Sequence, residues 1–120
     1  MELKLKVYIV DDQGRKFMGI GVLWLLEHIR SFGSLRKAAE AMGISYTKAH
    51  GMLNALEEGL GKQVVLRRRG GDSREGTMLT PLGLSLVARY ANFHKKLKDD
   101  AEQSFQQFLS GLEEETNEQE

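Results

Sequence analysis

Glycine and serine punctuate the middle of this 120-residue chain at intervals that suit short, sharply ended helices and little else. Gly33 is followed at once by Ser34. Gly43 stands two residues before Ser45, and Gly59 and Gly61 close the stretch GSLRKAAEAMGISYTKAHGMLNALEEGLG. A serine hydroxyl accepts a hydrogen bond from an orphan backbone N–H at a helix start, so Ser34 and Ser45 read as N-caps. Gly43 can take the left-handed conformation that a sharp turn between helices needs. Leu35, Ala38, Ala39 and Met42 give the first helix a packing face, and Ala49, Met52, Leu53 and Leu56 give one to the second. The second helix carries small and polar residues on its other side. Two such helices around Met42-Gly43-Ile44 have the sequence form of a helix-turn-helix, which lays its second helix in the major groove of DNA.

The flanking segments extend this unit. Leu3, Leu5, Val7 and Ile9 alternate with Lys4, Lys6, Tyr8 and Val10, and period two predicts a half-buried strand. Asp11-Asp12-Gln13-Gly14 is a turn, after which Arg15 to Met18 returns as a second strand of a small hairpin. From about Ile20 to Phe32 a helix is expected. Leu23, Leu26 and Ile29 keep helical spacing, while Val22, Trp24 and Leu25 broaden the apolar face, so burial on more than one side is expected. Past Gly61, Val64-Val65-Leu66 and Met78-Leu79 suggest two short paired strands. Between them runs RRRGGDSREGT, from Arg67 to Thr77, where a winged unit has its wing.

Thr80-Pro81 is a helix-start signal, a cap followed by proline at the first helical position. Leu82, Leu86, Tyr90, Phe93, Leu97, Ala101, Phe105 and Phe108 then step by three or four. One helix to about Leu109 is predicted, on the order of 40 Å long at about 1.5 Å per residue. So small a domain cannot cover so long an apolar stripe. Its far half needs a partner, most simply the same helix of a second subunit, with Leu86, Tyr90, Phe93, Leu97, Phe105 and Phe108 in the seam. Residues 111–120 are acidic and polar and read as a disordered tail. The organisation expected is residues 1–80 as the winged domain with its hairpin, 81–110 as the long packing and dimerisation helix, and 111–120 as the tail.

Charge at first argues against a nucleic-acid partner, since the chain is formally neutral. Its distribution reverses that. From Arg30 to Lys96 there are twelve Lys and Arg against five Asp and Glu, a net of +7, while Glu113, Glu114, Glu115, Glu118 and Glu120 gather at the end. Segregation of this kind supports a localised phosphate-binding face.

Other chemistries find little footing. There is no cysteine, hence no disulfide framework and no thiolate zinc site. His28, His50 and His94 are scattered without metal-ligand spacing, so no metal is expected. Gly19-x-Gly21 before a helix lacks the third glycine and the P-loop lysine of a nucleotide site, and no cofactor is expected. No serine has a GxSxG setting, and an enzyme is not expected. The longest apolar run, Ile20 to Leu26, is far short of the roughly 18 residues of a membrane span. A cytoplasmic home without a membrane partner is the expectation.

For contact with duplex DNA, the candidates on and around the second helix are Ser34, Ser45, Tyr46, Thr47, Lys48, His50 and Asn54. Lys48 can bond guanine acceptors or a phosphate, and Asn54 could pair with adenine edges. Ser45 and Thr47 offer hydroxyls beside a helix N-terminus. Tyr46 either packs on sugar or a thymine methyl, or is a partly buried brace. In the wing the candidates are Arg67, Arg68, Arg69 and Arg74. Side chains alternate along a strand, so two of the three consecutive arginines, plus Arg74, are expected to face the duplex.

The stretch from Gly33 to Gly61, with RRRGG and then LTPLGLSLVARY, resembles the N-terminal DNA-binding domain of ModE-type molybdate-responsive regulators. That domain is itself similar to the winged domain of LysR-type regulators. The resemblance covers roughly Leu3 to Phe93. Its most specific pieces are Gly33-Ser34, Ala38-Ala39, Ser45-Tyr46 with Ala49, Gly70-Gly71, and Leu79-Thr80 with Gly83. It implies a winged helix-turn-helix, dimerisation through the terminal helix, and control of transcription by operator binding. His50 stands where relatives often have tryptophan, and the wing GGDSREGT is less glycine-rich than theirs. The expectation is also that the oxyanion-binding domains of full-length ModE proteins are lacking, so direct molybdate sensing is not implied and a separate sensor or regulatory protein has a place.

The sequence therefore points to an α+β, mainly α fold, a winged helix-turn-helix with a small N-terminal β-hairpin and a long C-terminal dimerisation helix. The function expected is sequence-specific binding of double-stranded DNA by a homodimer. The competing reading is a protein-interaction module on the same scaffold, docking another regulator.

Overall fold

The computed structural model describes residues 1–68 and 76–118. Elements follow in the order β1 (Tyr8–Val10), β2 (Lys16–Gly19), α1 (Ile20–Phe32), α2 (Leu35–Met42), α3 (Tyr46–Leu60), β3 (Val65–Arg68), β4 (Gly76–Leu79) and α4 (Pro81–Glu118). The strands form two antiparallel hairpins, β1 with β2 and β3 with β4. This is a winged helix-turn-helix, mainly helical, with α2 and α3 as the two-helix unit and β3–β4 as the wing.

Local chemistry sets the helix ends. Ser34 Oγ accepts from Lys37 N at 3.2 Å and Ser45 Oγ from Lys48 N at 3.0 Å. Gly43 has φ 69° and ends α2 while its N–H bonds back to Glu40 O. Gly33 and Gly61 end α1 and α3 in the same way.

The core lies where α1, α2, α3 and the wing root meet. Leu25, Leu26, Ile29, Leu53, Leu56 and Val64 are fully buried there. Alanines Ala38, Ala39 and Ala49 are buried among them, small enough to let α2 and α3 cross closely. Tertiary bonds fasten the wing root. Glu57 Oε2 accepts from Val64 N at 2.7 Å. Thr80 N donates to Val64 O at 2.9 Å, and Thr80 Oγ1 donates to Gln63 O at 3.0 Å while accepting from Gly83 N at 3.0 Å. Thr77 N donates to Gly33 O at 2.9 Å, tying β4 to the α1–α2 junction. Gly83 sits so close to this latch that an added Cβ would overlap the Val64 carbonyl oxygen.

Several expectations need correction. The first strand is Tyr8–Val10 and not the whole alternating run from Leu3, because β2 is only four residues long and gives Leu3–Lys6 nothing to pair with. Leu3 and Leu5 are consequently exposed, and Ile9 is exposed as well although it pairs with Met18. Trp24 does not broaden the buried face of α1, for it is 51% exposed. Its carbonyl accepts from His28 Nδ1 at 2.7 Å, and the His28 ring stacks on Phe32. The wing strands run further toward the tip than expected, through Arg68 and from Gly76.

The last helix does not stop near Leu109. It continues through Glu118, so residues 111–118 are helix and not the irregular tail. Leucine, glutamate and glutamine are good helix formers, and extending an existing helix costs little where no proline interrupts it. Its first turns pack on the core through Gly83, Val87 and Tyr90, and none of the described residues beyond Tyr90 is buried. The helix gives the molecule extents of 76 × 30 × 23 Å and a radius of gyration of 19.4 Å, against roughly 14 Å for a compact domain of this length. No helix among the described residues is long and apolar enough to cross a membrane.

Candidate nucleic-acid interface

The buried face of α3, Ala49, Leu53 and Leu56, turns the opposite face of its first three turns outward. Thr47, Lys48 and Asn54 are exposed on it, Tyr46 and His50 are half-buried, and Ser45 is exposed at the cap. Ser34 is different. It is 9% exposed and its hydroxyl is occupied by the α2 cap bond, so it serves the helix start and shows little surface. The acidic residues of α3, Glu57 and Glu58, lie in its last turn, so the cationic part of this face is its N-terminal part.

Tyr46 packs beside two neighbours. The Arg36 guanidinium lies 5.0 Å from the centre of its ring, and its ring lies 6.0 Å from that of His50. Arg36 was missed in the sequence. It is an exposed cation two residues after a capping serine, which was the available signal.

His50 is the junction between helix and wing. Arg67 Nη1 lies 3.0 Å from His50 Nε2, and the Asn54 amide lies 3.1 Å from His50 Nδ1. Guanidinium can only donate, so Nε2 accepts from Arg67 and the ring proton of the neutral imidazole sits on Nδ1. Nδ1–H then donates, so the Asn54 amide, placed with Nδ2 3.1 Å from that nitrogen, takes the half-turned orientation that brings its oxygen there. The amide NH2 of Asn54 is left pointing away from His50 as a donor. One arginine of the wing is thus held against α3 by a contact 17 residues apart in sequence.

Arg67 stands opposite Thr77 in the wing ladder, and Arg68 opposite Gly76. Arg69 and Arg74, with Gly70 and Gly71, lie outside the described residues.

On α4, Phe93 is 46% and Phe108 is 58% exposed, while Leu97 and Phe105 are half-exposed. Tyr90 is not part of this open stripe. It is 3% exposed and packs in the chain's own core, so its ring is already covered. Burial raises its pKa, and its hydroxyl has no hydrogen-bond partner among the described residues. Leu86 is half-buried against the same core.

A family model described as bacterial regulatory helix-turn-helix protein, lysR family, matches residues 22–84, from α1 through the start of α4. The chain is 37% identical over 73 residues to the molybdenum-pterin-binding protein MopB of Rhodobacter capsulatus, covering 61% of this chain and 27% of that protein. It therefore spans about a quarter of the length of this curated relative. Among solved structures, the CbnR DBD–DNA complex superposes with a TM-score of 0.58 at 20% identity, covering 72% of this chain and 94% of that one. VV2_1132, a LysR family transcriptional regulator, gives 0.54 at 18% identity, covering 68% of this chain and 26% of that one. At these identities the structural likeness speaks to the fold alone.

Proposed function

Because this chain belongs to the lysR family of bacterial regulatory helix-turn-helix proteins, we propose that it binds duplex DNA in a sequence-specific way, as a homodimer, to regulate transcription. The observation that carries this reading is the cationic, acid-free N-terminal face of α3, with a wing arginine held against it through His50. On this reading α3 enters the major groove. Lys48 bonds guanine or phosphate, and Ser45 and Thr47 contact phosphate beside the helix N-terminus. Asn54, with its oxygen engaged by His50, acts chiefly through its NH2, toward acceptors such as purine N7. Tyr46 braces Arg36, which joins the set of phosphate contacts. Two of Arg67, Arg68 and Arg69, together with Arg74, serve the flanking backbone or minor groove.

Dimerisation is assigned to α4. Its seam comprises Phe93, Leu97, Phe105 and Phe108, with Leu86 at the edge, while Tyr90 stays in the core of each subunit. Two recognition helices would then meet major grooves about 34 Å apart.

Binding to fragmented genomic duplex across a salt series, with sequencing of the bound fraction, tests this reading. A steep salt slope with an enriched two-fold motif is expected. Absence of binding at low salt would overturn it in favour of a protein-docking role for the same scaffold.

A further inference from the structure

A cavity of about 480 Å³ opens between the N-terminal segment, β2, the first turn of α1 and the middle of α3. The proposed contact with a duplex leaves it unused. Its walls are mostly apolar, with Leu5, Val7, Phe17, Val22 and Met52 among them. The volume lies within the range of small-molecule pockets, roughly 300–1,000 Å³.

Two helical glycines, Gly21 on α1 and Gly51 on α3, line the cavity. A Cβ on Gly51 would meet nothing within 4 Å, and one on Gly21 only the Met52 methyl at 3.9 Å. Glycine inside a helix is unfavourable relative to alanine. Neither of these is required by close packing or by a left-handed backbone. What they leave behind is open space.

Charge narrows the occupant. Besides Tyr8, the ionisable residues lining the cavity are Lys6, Lys16, Lys48 and His94, and none is acidic. None of the three lysines is ion-paired among the described residues. Lys16 Nζ lies 5.0 Å from the centre of the Tyr8 ring, which sets that cation beside the aromatic part of the wall. Lysine can cover an apolar wall with its stem while its ammonium meets an anion at the mouth.

We propose that this cavity binds a small hydrophobic organic anion, an apolar body carrying one carboxylate or sulfonate. The apolar walls take the body and the lysines take the charge. Lys48 belongs both to this cavity and to the outward face of α3, so occupancy alters how α3 meets a duplex. That coupling rests on the proposed function, whereas the binding itself does not.

The test uses the protein alone, without DNA. Fluorescence titration compares anilinonaphthalene sulfonate with its uncharged parent, N-phenylnaphthylamine. Saturable one-site binding of the sulfonate is expected, about tenfold tighter than the parent. Gly51→Leu fills the cavity and should abolish it, and Ala55→Leu, from the same wall, should do so independently. Circular dichroism confirms that each variant is folded. Lys6→Gln with Lys16→Gln should bring the affinity for the sulfonate down toward that of the parent. Absence of saturable binding, equal affinity for both probes, or full binding in both folded wall variants would each overturn the proposal. A duplex titration with and without the sulfonate then reads the coupling separately.

Discussion

Arg67 donates to His50 across 3.0 Å, so a wing strand and the outward face of α3 share one side chain. In the proposed complex, an arginine held in this way would reach a phosphate with its position partly set in advance.

Removing that arrangement should have a defined signature. Arg67→Ala should weaken binding to all duplex sequences and lower the salt slope by about one. His50→Ala should cost less by itself, and the double variant should deviate from additivity by about 0.5–3 kcal/mol. Additive losses in a quantitative binding titration would mean that the contact has no role in binding.

Asn54→Ala should relax selectivity at one base pair, costing about 1–3 kcal/mol there and little elsewhere. Asn54→Asp exchanges the outward donor for a negative charge, and it should be worse than alanine on every sequence. A sequence-selection experiment on the variants checks both. An aspartate variant equal to alanine would contradict the donor assignment.

Gly83→Ala should destabilise the fold by about 1–3 kcal/mol, because the new methyl overlaps the Val64 carbonyl oxygen at the wing root. The measurement is urea unfolding. An unchanged midpoint would show that α4 can shift without cost.

Leu97→Glu with Phe105→Glu should disperse the proposed dimer. Each side chain contributes about 1.5–3 kcal/mol when fully covered by a partner, and a carboxylate removes that gain. Sedimentation equilibrium should read a single-chain mass. Circular dichroism should show less helix, since half-exposed turns of α4 would lose their support. A dimer that persists would place the interface elsewhere.

Asp11 holds the first hairpin turn, accepting from Gln13 N and Arg15 N at 2.9 Å each. The backbone N–H of Arg15 is the chief reason its pKa lies below 3.8; burial opposes the shift, while the Gln13 N–H and the Arg15 guanidinium add to it. A lowered native value means the carboxylate stabilises the hairpin above its unfolded value and loses that effect as pH falls through the native one. Protection factors of the Tyr8–Val10 amides, corrected for intrinsic exchange, should therefore fall in acid below 3.8. Asp11→Asn should remove this acid step, and an identical step in the variant would assign it to another group.

The three central helices were legible because their ends are decided locally. Ser34, Ser45 and Gly43 each act within a few residues of themselves, and a sequence displays such neighbours directly. Trp24 was misplaced for the opposite reason. Its spacing fits a buried stripe, but which side of α1 receives α2, α3 and α4 depends on the whole assembly. Tyr90 shares helical periodicity with Phe93 and Leu97, and spacing alone cannot say where α4 leaves its own core. The contact of His50 with Arg67 bridges two elements and left no local mark. Lys48 and Asn54 were identified as outward residues because Ala49, Leu53 and Leu56 define the inner face of the same helix.

The wing root is fastened at Glu57, Val64, Thr77 and Thr80 by bonds to three different helices or their junctions. Inserting or deleting one residue between Glu57 and Val64, or between Leu79 and Gly83, would put several of these partners out of step together. Changes of length between Arg68 and Gly76 would disturb none of them. Variation among descendants of such a chain is thus channelled to the stretch between Arg68 and Gly76, and a loop-exchange library placed there could vary that stretch while leaving the rest of the architecture intact.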